Sequence, residues 1–233
     1  MNKPTSLRRF IPCLGLVAAL GLTLLGGCSG LFPKAAPPPS AYALDGMPEE
    51  WTLKTRVVAS DTAPTLIVNP TRAAPGFDSR HIVYVRVAHQ LEHFAHSDWV
   101  DTPAHMLTPL IVSATATAGS FRAVGVAPSG ITGDLRLDTE ILRLQQDFGG
   151  MPSHVRFTLR ATLSDVRTRQ VISWREFDQT VLSPTEDPYG GVVAANLAVR
   201  LVMQQLGRFC ILASEPWWNS HPPEQKNAEP MLH

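Results

Sequence analysis

The sequence predicts an α+β fold of two layers: a mixed, mostly antiparallel sheet with two helices on one face, in the order β-β-α-β-β-β-β-α. Three observations predict it. Val155, Phe157, Leu159, Ala161 and Leu163 alternate with Arg156, Thr158, Arg160, Thr162 and Ser164, so this strand is apolar on one face and wet on the other. Residues 133–144 and 171–181 flank it as strands of an antiparallel meander. Two other stretches carry apolar residues at helical spacing, which gives each a one-sided stripe that must pack on a sheet.

In chain order, Thr65-Leu66-Ile67-Val68-Asn69 is a short apolar run ended by Pro70, the pattern of a buried strand. The Pro75-Gly76 pair turns the next loop. Residues 81–87 alternate as a second strand. Asp101-Thr102-Pro103 is a helix start, with a polar cap and Pro at the first helical position. Met106, Leu107, Leu110, Ile111 and Ala114 form the buried face, and Gly119 stops the helix. Residues 121–126 form a short strand. In residues 133–144 the apolar phase switches between Ile141 and Leu142, which predicts a bulge. Thr168-Arg169 makes the hairpin turn. After Pro188-Tyr189-Gly190-Gly191, residues 192–212 form the second helix, with Cys210 on its buried face.

The ends differ in composition from this domain, which is read as residues 64–213. Residues 1–27 form an export signal, with Lys3, Arg8 and Arg9 ahead of a short apolar run. That run falls short of the roughly 20 apolar residues of a spanning helix; an uncleaved anchor helix is the alternative. Leu25-Gly26-Gly27-Cys28 resembles the lipobox of bacterial lipoproteins. The resemblance implies cleavage before Cys28 and a diacylglycerol on its sulfur. Residues 28–63 then form a tether rich in Pro33, Pro37, Pro38 and Pro39, with weak strands at 51–53 and 56–58 as an alternative. Ser29, in place of the Asp that retains inner-membrane lipoproteins, implies the periplasmic face of the outer membrane. Residues 214–233 are polar and proline-rich and read as a disordered tail. Trp217-Trp218 interrupts it, either packing back on the domain or reaching a membrane or partner.

Charge excludes one class of partner. The chain has 20 basic and 20 acidic residues, and loss of Lys3, Arg8 and Arg9 leaves the rest slightly acidic. That is no nucleic-acid footprint. With Cys13 in the signal and Cys28 lipidated, Cys210 stands alone and no intramolecular disulfide is expected.

Little in the sequence points to catalysis, and no cofactor is expected. His89-Gln90-Leu91-Glu92-His93 spells an inverted zinc-peptidase motif. A strand ends near Val87 and a helix cap stands at Asp101, which leaves too little room for the long helix the motif needs. The second helix, at 192–212, supplies no acidic ligand. The stretch therefore reads as a loop with surface histidines. Asp134, Asp138 and Glu140 share a strand face and read as solvated carboxylates. The chain is not expected to be an enzyme or to hold a metal.

Residues 66–80, then Ile82-Val83-Tyr84-Val85-Arg86, His89-Gln90-Leu91, residues 99–107 and residues 119–124 are similar to the ABC-type transport auxiliary lipoproteins that accompany MCE-type lipid transporters. The resemblance runs to about Cys210. It implies a docking component at the outer-membrane end of a machine whose MCE protein carries lipid across the periplasm. A lipid-binding carrier with its own cavity is the alternative, and self-association stays open. Arg72, Phe77, Arg80, Tyr84, Arg86 and Trp99 are candidate partner contacts, because arginine and aromatic side chains near loops are enriched at interfaces.

Overall fold

A computed structural model describes residues 38–45, 60–130 and 132–221. The signal, Cys28, most of the tether, the weak strands at 51–53 and 56–58, and the last twelve residues lie outside them. A first unit, Met1–Pro38, falls almost wholly outside as well; the elements below belong to the unit Pro39–His233.

The strands are β1 (Ser40–Tyr42), β2 (Thr65–Val68), β3 (Arg72–Ala73), β4 (His81–Val85) and β5 (Glu92–Trp99) before helix α1 (Pro103–Thr117). Then come β6 (Ala123–Val126), β7 (Leu135–Asp147), β8 (His154–Asp165), β9 (Val171–Leu182) and helix α2 (Pro188–Ser220). Between the helices the order is as expected. Ahead of α1 there are five strands where the sequence suggested two. β1 and β3 are three and two residues long, too short to show a period. β5 reads as a polar loop because only Ser97 and Trp99 of its eight residues turn fully inward.

The described strands form one nine-stranded mixed sheet. Its longest pairings are antiparallel, β7 with β8 and β8 with β9. On its other edge β7 takes β2, β3 and β4 end to end, all parallel. β6 then adds to β2, β5 to β4, and β1 to β5. The switch of apolar phase in β7 corresponds to a register shift against β8 between Ile141 and Arg143.

Both helices pack on one face, and the core lies between. Leu66, Leu135, Leu137, Ile141, Phe157, Leu159 and Leu163 from the sheet meet Leu107 and Ile111 of α1 and Val202, Met203 and Leu206 of α2. α1 begins as its sequence foretells: Thr102 caps it, accepting from the His105 N–H, and Pro103 stands in its first turn. Gly119, with φ of 80°, takes the left-handed conformation that follows the helix end.

α2 is longer at both ends than its apolar stripe suggests. It starts at Pro188, where Asp187 accepts from the Gly190 N–H at 2.7 Å. The two glycines ahead of the expected helix belong to its first turn and are close approaches. A Cβ on Gly190 would stand 2.2 Å from the Thr185 carbonyl oxygen, and one on Gly191 2.2 Å from Gln146 Oε1. Gln146 is buried and its Nε2 donates to Ser153 Oγ at 3.0 Å and Ser183 Oγ at 3.4 Å. It cannot withdraw without losing those bonds. Gly191→Ala is therefore expected to lower stability by about 1–3 kcal/mol through overpacking, read as a lower urea midpoint at unchanged slope.

At its far end α2 runs on through 214–220, where the sequence reads as a disordered tail. Pro216 sits inside it, at a local penalty of about 3 kcal/mol. Trp217 supplies the tertiary contact that offsets this. Its ring packs against the core, and its Nε1 donates to Asp165 Oδ2 at 2.6 Å. Half of the most apolar stretch of α2 is buried, the condition of a core helix. Cys210 lies in that buried face with no exposed surface, and burial pushes its thiol up to about 12.

Candidate docking surfaces

Strand direction sorts the loops to two ends of the sheet. The end of β4, the start of β5, the β7–β8 hairpin, the end of β9 and the start of α2 all lie at one end. Here Tyr84, Phe94 and Phe148 form a half-buried aromatic trio. Ring centroids are 4.5 Å apart for Tyr84 and Phe94, and 5.8 Å for Tyr84 and Phe148. The Arg86 guanidinium lies 5.3 Å from the centre of the Tyr84 ring. Glu92 joins the two, taking Tyr84 Oη at 3.2 Å and Arg86 Nε at 3.1 Å. The hydrogen bond from Arg86 holds the Glu92 carboxyl below the usual range, and the same bond raises the guanidinium. The cluster is a fixed cation beside a half-exposed aromatic face.

The other candidate contacts do not gather here. Arg72 on β3 is opposite Glu140 on the helix-free face. Phe77 is half-buried against the core. Arg80 Nε donates to the Trp99 carbonyl at 3.1 Å. Trp99 itself is 3% exposed, so its ring belongs to the core and is not a surface contact. It stands at the end of β5, where alternation turns it inward, and no signal separates it from a loop tryptophan when β5 is read as a loop. The structure thus joins Tyr84 with Arg86. Glu92, Phe94 and Phe148 complete that cluster; the sequence reading met Glu92 only as the acid of the histidine motif and did not single out Phe94 or Phe148, because they come from β5 and from the hairpin after β7.

The helix-free face of β7, β8 and β9 carries a ladder of ion pairs. Arg156 meets Asp178 at 2.6 Å, and Arg160 meets Glu176 at 2.7 Å and Glu140 at 3.5 Å. The Arg156 hydrogen bond lowers the Asp178 carboxyl. Exposed pairs like these contribute little to stability; they make the face polar, and Trp174, opposite Thr162, is exposed on it. The carboxylates singled out in the sequence have structural partners. Asp134 accepts from the Thr65 N–H at 2.8 Å, and Asp138 from Asn69 Nδ2 at 2.7 Å.

The histidine motif is split between elements. His89 lies in the loop after β4 with φ of 69°, and His93 is on β5. His93 stacks on His81 at 4.5 Å, and His81 Nδ1 lies 3.0 Å from Asp98 Oδ1. His96 is also on β5 and exposed, beyond His93 in the stretch where β5 shifts register against β4. Among the described residues no group of three His, Cys, Asp or Glu side chains could hold a metal.

An open mixed sheet with helices on one face, and arginine, aromatic and carboxylate clusters on the other face and at the strand ends, defines an α+β protein that presents surfaces. The model of one family, the ABC-type transport auxiliary lipoprotein component, matches residues 49–207. The chain belongs to that family. The fold is similar to the crystal structure of a Xanthomonas campestris protein assigned to family-model DUF330, with TM-score 0.60 and 21% identity over 72% of this chain and 97% of that one. A crystal structure of an uncharacterized protein is similar at TM-score 0.57 and 14% identity, over 75% of this chain and 99% of that one. Identities this low speak to the fold alone. Among curated proteins none matches the chain.

Proposed function

We propose that the protein is a non-enzymatic docking component of an MCE-type ABC lipid transport system, held by a lipid on Cys28 at the periplasmic face of the outer membrane. The observation that carries this reading is the family match over 49–207, in a chain whose Cys28 follows Leu25-Gly26-Gly27. The ABC transport association comes from the family; the MCE protein as partner and the outer membrane as site are the finer reading. The Tyr84–Arg86–Glu92 cluster is the proposed contact, because a fixed guanidinium over an aromatic ring offers a preorganised anchor.

The test is binding of the purified lipoprotein to the periplasmic domain of the MCE protein. Tyr84→Ala together with Arg86→Ala is expected to weaken binding by about tenfold, or roughly 1.4 kcal/mol. Arg86→Ala alone should weaken binding in the same direction with little change in the thermal midpoint, since Arg86 is exposed and its ion pair is screened, whereas Tyr84→Ala also removes a half-buried ring packed on Phe94 and lowers the midpoint. No binding by the wild-type chain, with phospholipid retained in a native mass spectrum, would favour the carrier alternative and sink the docking one.

A further inference from the structure

The sheet end that carries the aromatic trio also carries exposed apolar loop tips. The β4–β5 loop presents Val87 and Leu91, 59% and 49% exposed, and the β7–β8 hairpin presents Met151 at 91%. Leu182, at the end of β9, is 64% exposed. These tips are neighbours. The Phe148 N–H donates to the Val85 carbonyl at 2.8 Å, and the Ser183 N–H to the Ser153 carbonyl at 2.8 Å. Charge at this end is mostly acidic, from Glu92, Asp147, Glu186 and Asp187, with Arg86 already engaged by Glu92.

The chain enters from the same end. β1 runs parallel to β5, with Ser40 opposite Ser97. β5 starts at this rim, so the N-terminal end of β1 points towards it. β5 shifts register so that Glu92 and Asp98 pair with Tyr84 and His81, three residues apart on β4; Ser40, opposite Ser97, therefore lies within about 10 Å of the rim at ~3.3 Å per residue. Residues 28–39 can extend about 40 Å at most. A tether of that length can bring the rim to a bilayer that holds Cys28.

We propose that this end is a membrane-seating surface: Met151, Val87, Leu91 and Leu182 insert among the lipids of the bilayer that holds Cys28, so the domain stands end-on. The inference rests on the reading of Cys28 as lipidated. Apolar tips on an acidic rim call for a bilayer entered by hydrophobic burial, without attraction to anionic headgroups. Seating should therefore persist in zwitterionic phosphatidylethanolamine–phosphatidylcholine vesicles and at high salt, which screens exposed charges. In this geometry the tips enter the lipid and the Tyr84–Arg86–Glu92 cluster beside them stays at the membrane surface, where a partner arriving at the bilayer would meet it.

The experiment uses the full chain, processed in cells and reconstituted in such vesicles. A nitroxide is placed at Met151→Cys or, at the opposite end of the sheet, at Arg169→Cys in the β8–β9 turn. Cys210 will not compete for label, being fully buried. The label at 151 is expected to gain collisions with oxygen and lose them with a water-soluble nickel chelate, whereas the label at 169 stays aqueous. A Leu182→Glu change should return the label at 151 to water. An intact mass that shows lipid on Cys28, with label 151 aqueous, overturns this inference and leaves the anchor reading standing. A mass without lipid overturns both.

Discussion

Phe157→Ala is expected to lower folding stability by about 3–5 kcal/mol, the range for removing a buried aromatic ring and leaving a cavity. Phe157 lies in β8 between Leu144 of β7 and Gln179 of β9, and it has no exposed surface. β8 is the middle strand of the two longest pairings and packs beneath α2, so little around the ring can collapse into the space. Chemical denaturation of the detergent-solubilised chain reads the loss directly. A shift below about 1 kcal/mol would mean that the core is not centred on this strand.

The second large effect is Asp165→Ala. Asp165 is buried at the end of β8. One carboxylate oxygen accepts from the Thr168 N–H at 2.7 Å, the other from Trp217 Nε1 at 2.6 Å. Alanine removes both acceptors: the Trp217 indole, packed against the core, loses its partner at about 1–3 kcal/mol, while the Thr168 N–H, in an exposed turn, can turn to water. The last turns of α2 should fray first, because Trp217 is their tie to the sheet. Once Asp165 is gone, Trp217→Phe should add little, and full additivity would contradict the coupling.

The same carboxylate sets a pH dependence. Burial, the largest single influence, pushes its pKa up, but hydrogen bonds from the Thr168 N–H, the Trp217 indole and the Thr168 hydroxyl together outweigh it, and the net shift is downward. The folded form thus binds its proton more weakly than the unfolded chain does. This contribution is present above the unfolded value, about 3.9 for Asp, and is lost as pH falls through the lower folded value. Acid unfolding followed by tryptophan fluorescence should be less steep in Asp165→Ala below about pH 4. Identical pH profiles for variant and parent would remove Asp165 from the account.

How much of this could be read from residues alone depends on the length of each pattern. β7, β8 and β9 run for 12 or 13 residues each, enough for alternation to show both the strands and the bulge in β7. β3 and β5 hide for opposite reasons. β3 is two residues between turn signals, and β5 is a strand that is mostly wet because only β1 covers its outer edge, along residues 97–99. The candidate contacts divide in the same way. Arginines and aromatics can be counted in a sequence, but their grouping cannot. Arg86, the residue just past β4, folds its guanidinium over the Tyr84 ring two positions back; Trp99 looked like a loop contact because its strand was not visible, and alternation along β5 turns it into the core.

By itself, the sequence determined the class of fold, the meander, both helices, the capped start of α1, the buried thiol of Cys210 and the family. All but the family, which rests on a resemblance over most of the chain, follow from local periodicity and local hydrogen-bonding chemistry, which a short window contains. Only the tertiary structure decided that β7 serves three parallel partners end to end, that the glycines at 190 and 191 open a helix against Thr185 and Gln146, and that Trp217 carries α2 past Pro216. It also set the aromatic trio, its arginine and the apolar loop tips at one end of the sheet. In each case the deciding partner is far away along the chain. An exposed-looking glycine, a proline or a lone methionine takes its meaning from what the fold sets beside it.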